Sequence, residues 1–301
     1  MERNLRQRLT LGPILLLGLA GVLLFDFYIE RWTRDLLPHL PEGIRGAGVL
    51  LLLLVIALPA TRELANLFTA TSVRPYRMIA VAGVASLLLH AWLTQFPFFK
   101  PIGASMLAFI VVAVMLLAAM KRAISRDPHE SVTAMAGTVL AVLYLGGLSW
   151  FLVALRVKSG ETMFDAPFIG STAHVLMILL AVKFTDIGAF FTGRAFGRHK
   201  LIPWLSPKKT WEGLVGGLLT AAAIGAVCAP MIVHLTWVKG AIFGLVIGGV
   251  GQLGDLLESM MKRDAEIKDS GPNVPGFGGV LDLIDSPLLA APVAYLLFSL
   301  L

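Results

Sequence analysis

The chain is expected to be an all-α, polytopic transmembrane protein, and three observations predict it. Of its 301 residues 57% are hydrophobic and only 15% charged, and its mean hydropathy of +0.81 is far from the balance of a soluble globular domain. About nine apolar runs of bilayer-crossing length succeed one another, and no stretch between them is long enough for a separate soluble domain. With the N-terminus cytoplasmic, seventeen of the 25 Lys and Arg residues fall on the inner side and seven outside, with Lys183 inside a span, as the positive-inside bias requires. This bias accounts for much of the net charge of +6. Scattered arginines in the first half read as anchors to anionic headgroups. Nothing points to nucleic acid, and the setting implied is the cytoplasmic membrane.

In chain order the spans are expected at roughly 11–29, 44–60, 78–95, 101–120, 134–155, 170–192, 213–236, 239–260 and 282–301. The first has no small-residue cleavage site and runs on into Asp26 and Glu30, so it reads as a retained helix rather than a signal peptide. Asp26 and Glu30 lie near the outer end of that span, and Arg62 and Glu63 at a cytoplasmic helix end. His90, alone in the third span, is either a proton relay or, the better supported of the two, an interhelical hydrogen-bond partner. The runs 49–54 and 107–119 read as lipid-facing or packing surface, so the first five spans are expected to be poor in chemistry. Cys228 sits in an apolar span and can form no intrachain disulfide. A boundary near residue 165, where the polar content of the spans changes, separates a scaffold of helices (1–165), with room for homodimer contacts, from a catalytic region (166–301) with a cytoplasmic-side active site.

The densest polar sequence runs from Gly254 to Ser286. Asp255, Glu258, Asp264, Glu266, Asp269, Asp282 and Asp285 are interleaved there with Lys262, Arg263 and Lys268. In a helix, Asp255, Glu258, Ser259 and Lys262 fall at i, i+3, i+4 and i+7, on one face. Asp282, Asp285 and Ser286 repeat that spacing at the start of the next helix. Between them Pro275-Gly276-Phe277-Gly278-Gly279 supplies a turn that a ligand can approach closely. Hard oxygen donors beside Lys and Arg are what a Mg²⁺-phosphate site needs.

A second stretch runs from Lys183 to Gly213. Lys183 and Asp186 are three apart in a helix, where either alone would be costly in hydrocarbon; a simple mutual pair is one explanation. The residues after them favour a second: Arg194, Arg198, Lys200 and then Ser206-Pro207-Lys208-Lys209-Thr210 form a Gly-punctuated basic loop resembling a phosphate cradle. It lacks the spacing of a Walker A loop. The topology brings Asp186, Asp255, Glu258, Asp282 and Asp285 to a similar depth, and such clustered intramembrane acids mark an ion or substrate site. Gly216, Gly217, Gly244, Gly248, Gly249 and Gly251 would let the surrounding helices pack closely.

These residues resemble a known pattern. Ser259-x-x-Lys262-Arg263 with Lys268-Asp269, then Pro275-Gly276-x-Gly278-Gly279-x-x-Asp282-x-x-Asp285-Ser286, is similar to the signature of phosphatidate cytidylyltransferases, or CDP-diacylglycerol synthases. Asp186-x-Gly188-Ala189-Phe190, Gly193-Arg194, Gly197-Arg198 and Ser206-Pro207-Lys208-Lys209-Thr210-x-Glu212-Gly213 look like its other half. The resemblance covers residues 183–287 and is only topological before them. It implies CTP and phosphatidic acid, or a related lipid phosphate, as substrates and Mg²⁺ as cofactor. By the same resemblance Asp255, Asp282 and Asp285, with Asp186 and Glu258, would take the metal. Arg194, Lys208, Lys209, Lys262, Arg263 and Lys268 would hold phosphates, Ser206 and Ser259 would donate hydrogen bonds, and Gly278 and Gly279 would shape the turn. Asp269 is either part of this site or a solvated loop acid. The chain has Phe277 where the family usually has His and Leu283 where it usually has Arg. Rival expectations are a CTP-dependent lipid kinase, which would release CDP, and a transporter or inactive scaffold using the same acids.

Overall fold

A bilayer offers no partner for backbone polar groups, so each apolar run must satisfy its own as a helix. The computed structural model describes residues 2–37, 43–71, 73–126, 128–158, 172–267, 270–271, 274–276 and 278–301. Its helices are α1 (Glu2–Leu36), α2 (Ala47–Ala70), α3 (Arg77–Leu93), α4 (Gly103–Ile124), α5 (Ser131–Ala141), α6 (Leu148–Lys158), α7 (Thr172–Phe196), α8 (Trp211–Ile232), α9 (Trp237–Asp264) and α10 (Leu281–Leu300). A π-helical turn, Val142–Gly147, joins α5 to α6, so the two act as one span. Among the described residues eight helices are long and apolar enough to cross a membrane, and α3 is a shorter apolar helix of 17 residues. The chain is thus a multi-pass membrane protein. It is almost, not wholly, α-helical: the basic stretch expected as a loop folds as a hairpin, β1 (Lys200–Ile202) antiparallel to β2 (Ser206–Thr210).

The chain divides into two compact units. The first comprises Met1–Val157 and Asp264–Leu283, the second Lys158–Arg263 and Ile284–Leu301. In the first unit Leu64, Leu67, Leu87 and Leu88 are almost wholly buried. So is Arg156, whose Nε donates to Asp26 Oδ2 at 2.6 Å and whose Nη2 donates to Glu30 Oε2 at 2.7 Å. Asp26 also accepts from Gly48 N at 2.8 Å, satisfying an orphan donor at the start of α2. Asp26 and Glu30 thus balance a buried cation within the first spans. His90 bridges helices: Nε2 lies 2.8 Å from Gly103 O, and Trp150 Nε1 donates to Nδ1 at 2.9 Å.

In the second unit small residues set the helix spacing. A Cβ on Gly217 of α8 would lie 2.7 Å from Thr185 O of α7. One on Gly216 would meet Thr192 of α7, and one on Gly244 of α9 would meet Ala221 O of α8. Gly248 abuts Thr185 and Gly251 lies near Val182, whereas Gly249 has only ordinary contact with Leu218 at 3.6 Å.

Candidate active site

The turn from α7 into α8 is built by the hairpin. Lys200 pairs with Thr210 across it, and Trp211 N donates to His199 O at 3.0 Å. Thr210 then caps α8, its Oγ1 accepting from Gly213 N at 3.1 Å, which fills one of the free donors at a helix start. Against this frame lies a cavity of about 330 Å³, whose polar lining includes Asp186, Arg194, Lys208, Lys209, Thr210, Gln252 and Asp255. Three cations against two carboxylates give that lining a net positive charge.

Its polar groups are linked. Lys209 Nζ lies 2.7 Å from Asp255 Oδ2 and donates to Gln252 Oε1 at 3.0 Å. Gln252 Nε2 in turn donates to Asp186 Oδ1 at 2.8 Å. Asp186 on α7 and Asp255 on α9 are thus held through one Gln and one Lys. Gln252, missed from the sequence, stands three residues before Asp255 on α9 and so on the same helical face.

Further along α9, Lys262 pairs with the buried Glu258 at 3.3 Å, one helical turn apart on the same face. Ser259 is half-buried beside them. Arg263 Nε donates to Leu205 O at 3.4 Å, so it also steadies the hairpin turn. Gly254 packs on α10, where an added Cβ would lie 2.9 Å from Asp285 O. Asp285 is buried, and close enough to Asp255 and Glu258 to interact with both. Ser206 opens β2, opposite Ile202, and Arg194 and Lys208 are exposed at the cavity. Among the described residues no three His, Cys, Asp or Glu side chains form a ready-made metal cage.

The rest of the acidic stretch belongs to the first unit. Asp282 Oδ2 accepts from Ser270 N at 3.1 Å, Ser270 Oγ at 3.0 Å and Gly279 N at 2.6 Å. That oxygen is committed to shaping the turn. Gly278 exchanges backbone hydrogen bonds with Val274 and has φ of 98°, a conformation that favours glycine. Glu63 also enters here and was missed: it lies inside α2 rather than at its end and accepts from Val280 N and Leu281 N. Its only signal in sequence is a carboxylate within an apolar helix. Lys268, Asp269 and Phe277 lie outside the described residues.

The chain is similar to known proteins over most of its length. A profile described as the Cytidylyltransferase family matches residues 43–301. A phosphatidate cytidylyltransferase of Bacillus subtilis (strain 168) is 29% identical over 281 residues, which is 88% of this chain and 98% of that protein. One from Synechocystis sp. is 39% identical over 194 residues, 58% of this chain and 66% of its own length. One from Haemophilus influenzae is 43% identical over 123 residues, 39% of this chain and 43% of its own length.

Proposed function

The chain belongs to the cytidylyltransferase family, and from that membership we propose that it is a phosphatidate cytidylyltransferase, converting CTP and phosphatidic acid into CDP-diacylglycerol and pyrophosphate. The observation that carries this reading is the net positive cavity in which Lys209 bridges Asp255 and Gln252, with Arg194 and Lys208 beside it.

A phosphate monoester has its second pKa near 6, so the lipid nucleophile is already an anion near neutral pH and needs no general base. Its oxygen attacks the α-phosphorus of CTP. A new P–O bond forms as the bond to the bridging oxygen breaks, and pyrophosphate leaves with that electron pair. Repulsion between two polyanions is the main obstacle, and cations positioned in advance lower it. Arg194, Lys208 and Lys209 would hold the nucleotide phosphates, with Lys262, Arg263 and Lys268 for the remaining phosphate charge. Asp186 and Gln252 orient Lys209 through the hydrogen-bond chain.

Mg²⁺ fits this donor set: it takes hard oxygen ligands, is commonly bound by one or two carboxylates together with substrate phosphates, and needs no all-protein cage. The mutually interacting Asp255 and Asp285 are the pair that would hold it, with Asp186, Glu258 and Asp282 as the other carboxylates of the set. When bound, the ion would neutralise charge on the reacting phosphates.

The Lys and Arg distribution further supports a cytoplasmic N-terminus and an inward-facing site. The reaction is tested by incubating the purified protein with Mg²⁺, phosphatidic acid and CTP labelled at either the α- or the γ-phosphate. Alpha label is expected in CDP-diacylglycerol and gamma label in pyrophosphate. Gamma label in a lipid, with release of CDP, would instead identify a lipid kinase, and no turnover would identify a transporter or scaffold.

A further inference from the structure

One buried carboxylate holds the second half of the signature to a helix some two hundred residues earlier. Glu63 is 2% exposed. Val280 N donates to its Oε1 at 3.0 Å and Leu281 N to its Oε2 at 2.8 Å, and Ser270 Oγ, whose one proton Glu63 and Asp282 share, lies 3.2 Å from Oε2. Carboxylates persist in such places only when their lone pairs are filled. Two of these donors are backbone N–H groups at the start of α10, the positive end of the helix, so the charge of Glu63 is matched as well as its shape.

The turn is moulded around this group. A Cβ on Gly271 would lie 2.7 Å from Glu63 Oε1, and one on Gly279 would lie 2.6 Å from Oε2 and collide with Ser270 Oγ. Ser270 Oγ faces Asp282 Oδ2 as well as Glu63. One carboxylate thereby fixes Ser270, the first turn of α10 and the side chain of Asp282.

We propose that Glu63 is a positioning residue for nucleotidyl transfer, its carboxylate holding the signature turn and the start of α10 so that Asp282 keeps its working geometry. The catalytic consequence rests on the cytidylyltransferase reading; the hold on the turn does not. A side chain that merely filled space would be replaced silently by Gln, which has the same size. Gln, however, turns an N–H₂ toward backbone N–H groups and removes the charge.

The test compares the purified full chain with Glu63→Gln and Glu63→Asp. Hydrogen exchange at the Val280 and Leu281 amides should quicken by roughly tenfold or more in Glu63→Gln, the scale of one lost charge-assisted bond, while α8 stays as protected as before. Glu63→Asp, which keeps the charge, should recover part of that protection. In the transfer assay the Mg²⁺ concentration for half-maximal rate should rise by roughly tenfold in Glu63→Gln, as when an outer partner of a ligating carboxylate is lost. The KM for CTP should stay within about twofold, because uniform nucleotide binding is untouched. Unchanged exchange at those amides, or an active Glu63→Gln with wild-type Mg²⁺ dependence, would overturn the proposal. An unmodified protein that makes no CDP-diacylglycerol would sink the functional reading instead, and the exchange measurement would then decide the role of Glu63. If Glu63→Gln does not accumulate in membranes, Ser270→Ala removes the hydroxyl between Glu63 and Asp282 and leaves the two backbone donors to Glu63 in place. It should move both quantities in the same direction by a smaller factor, and no change in either would again overturn the proposal.

Discussion

Lys209 has two jobs that a surface lysine would not have: it neutralises Asp255 at 2.7 Å and fixes the amide of Gln252 at 3.0 Å. A hydrogen bond to a charged group contributes about 1.5–3 kcal/mol, but the Asp255 side chain is 37% exposed, so solvent screening favours the lower end. Lys209→Met should therefore lower kcat/KM for CTP by roughly tenfold. Lys209→Arg should restore only part of it, since a planar guanidinium does not replace a compact ammonium between two acceptors. Steady-state kinetics at fixed Mg²⁺ and lipid would check both, and full activity in Lys209→Met would remove it from the site. Lys209 and Asp255 were legible in sequence because polar residues in apolar surroundings stand out. Gln252 and Glu63 were not: the partners that give each its role, at positions 186 and 209 for one and 270–281 for the other, become neighbours only through folding. Leu283 is half-buried in the first turn of α10, so the start of that helix has an apolar group where the family pattern has a cation.

At the scale of elements, apolar windows located the helices but ended several of them early. The second span was expected to stop near residue 60, yet α2 runs on to Ala70. Its last turns carry Arg62, Glu63 and Asn66, and tertiary partners satisfy two of them: Glu63 takes the start of α10, and Asn66 accepts from Arg77 at 2.8 Å. The hairpin was not legible for a related reason. Ser-Pro-Lys-Lys has little strand preference, and the strands form because Lys200 and Thr210 pair and Trp211 N closes on His199 O. The same principle makes α6 dependent on α1. Arg156→Met would leave Asp26 buried without its cation and Glu30 with Arg34 alone, and breaking a buried pair costs about 3–5 kcal/mol. Arg34 also pairs with Glu30, at 3.2 Å, but its side chain is 53% exposed, so Arg34→Met should cost under about 1 kcal/mol. Thermal unfolding in detergent should therefore show a large fall in midpoint for the first variant and almost none for the second. Equal falls would mean that the buried triad is not what ties α6 to α1.

For the whole molecule, the class of fold was legible because the bilayer permits so few solutions, whereas the number of crossings turns on one short helix. At 17 residues and 1.5 Å per residue, α3 spans about 25 Å, slightly less than a hydrocarbon core of about 30 Å. If α3 crosses, α1 to α7 make six passes, counting α5 and α6 as one, and the N-terminus shares a side with the hairpin. If it does not, the two lie on opposite faces. The Lys and Arg count favours crossing, since it places Arg74 and Arg77 inside and Lys100 outside. A bilayer can thin locally to accept a short span at a cost of fractions of a kcal/mol per ångström. Reporters fused after residues 125 and 205 should accordingly be cytoplasmic, one after residue 160 external, and an N-terminal tag cytoplasmic. An external reporter at 205 would reverse the site's orientation and remove it from the compartment that supplies CTP. An external tag with a cytoplasmic reporter at 205 would leave the site where it is and show instead that α3 turns back within the membrane.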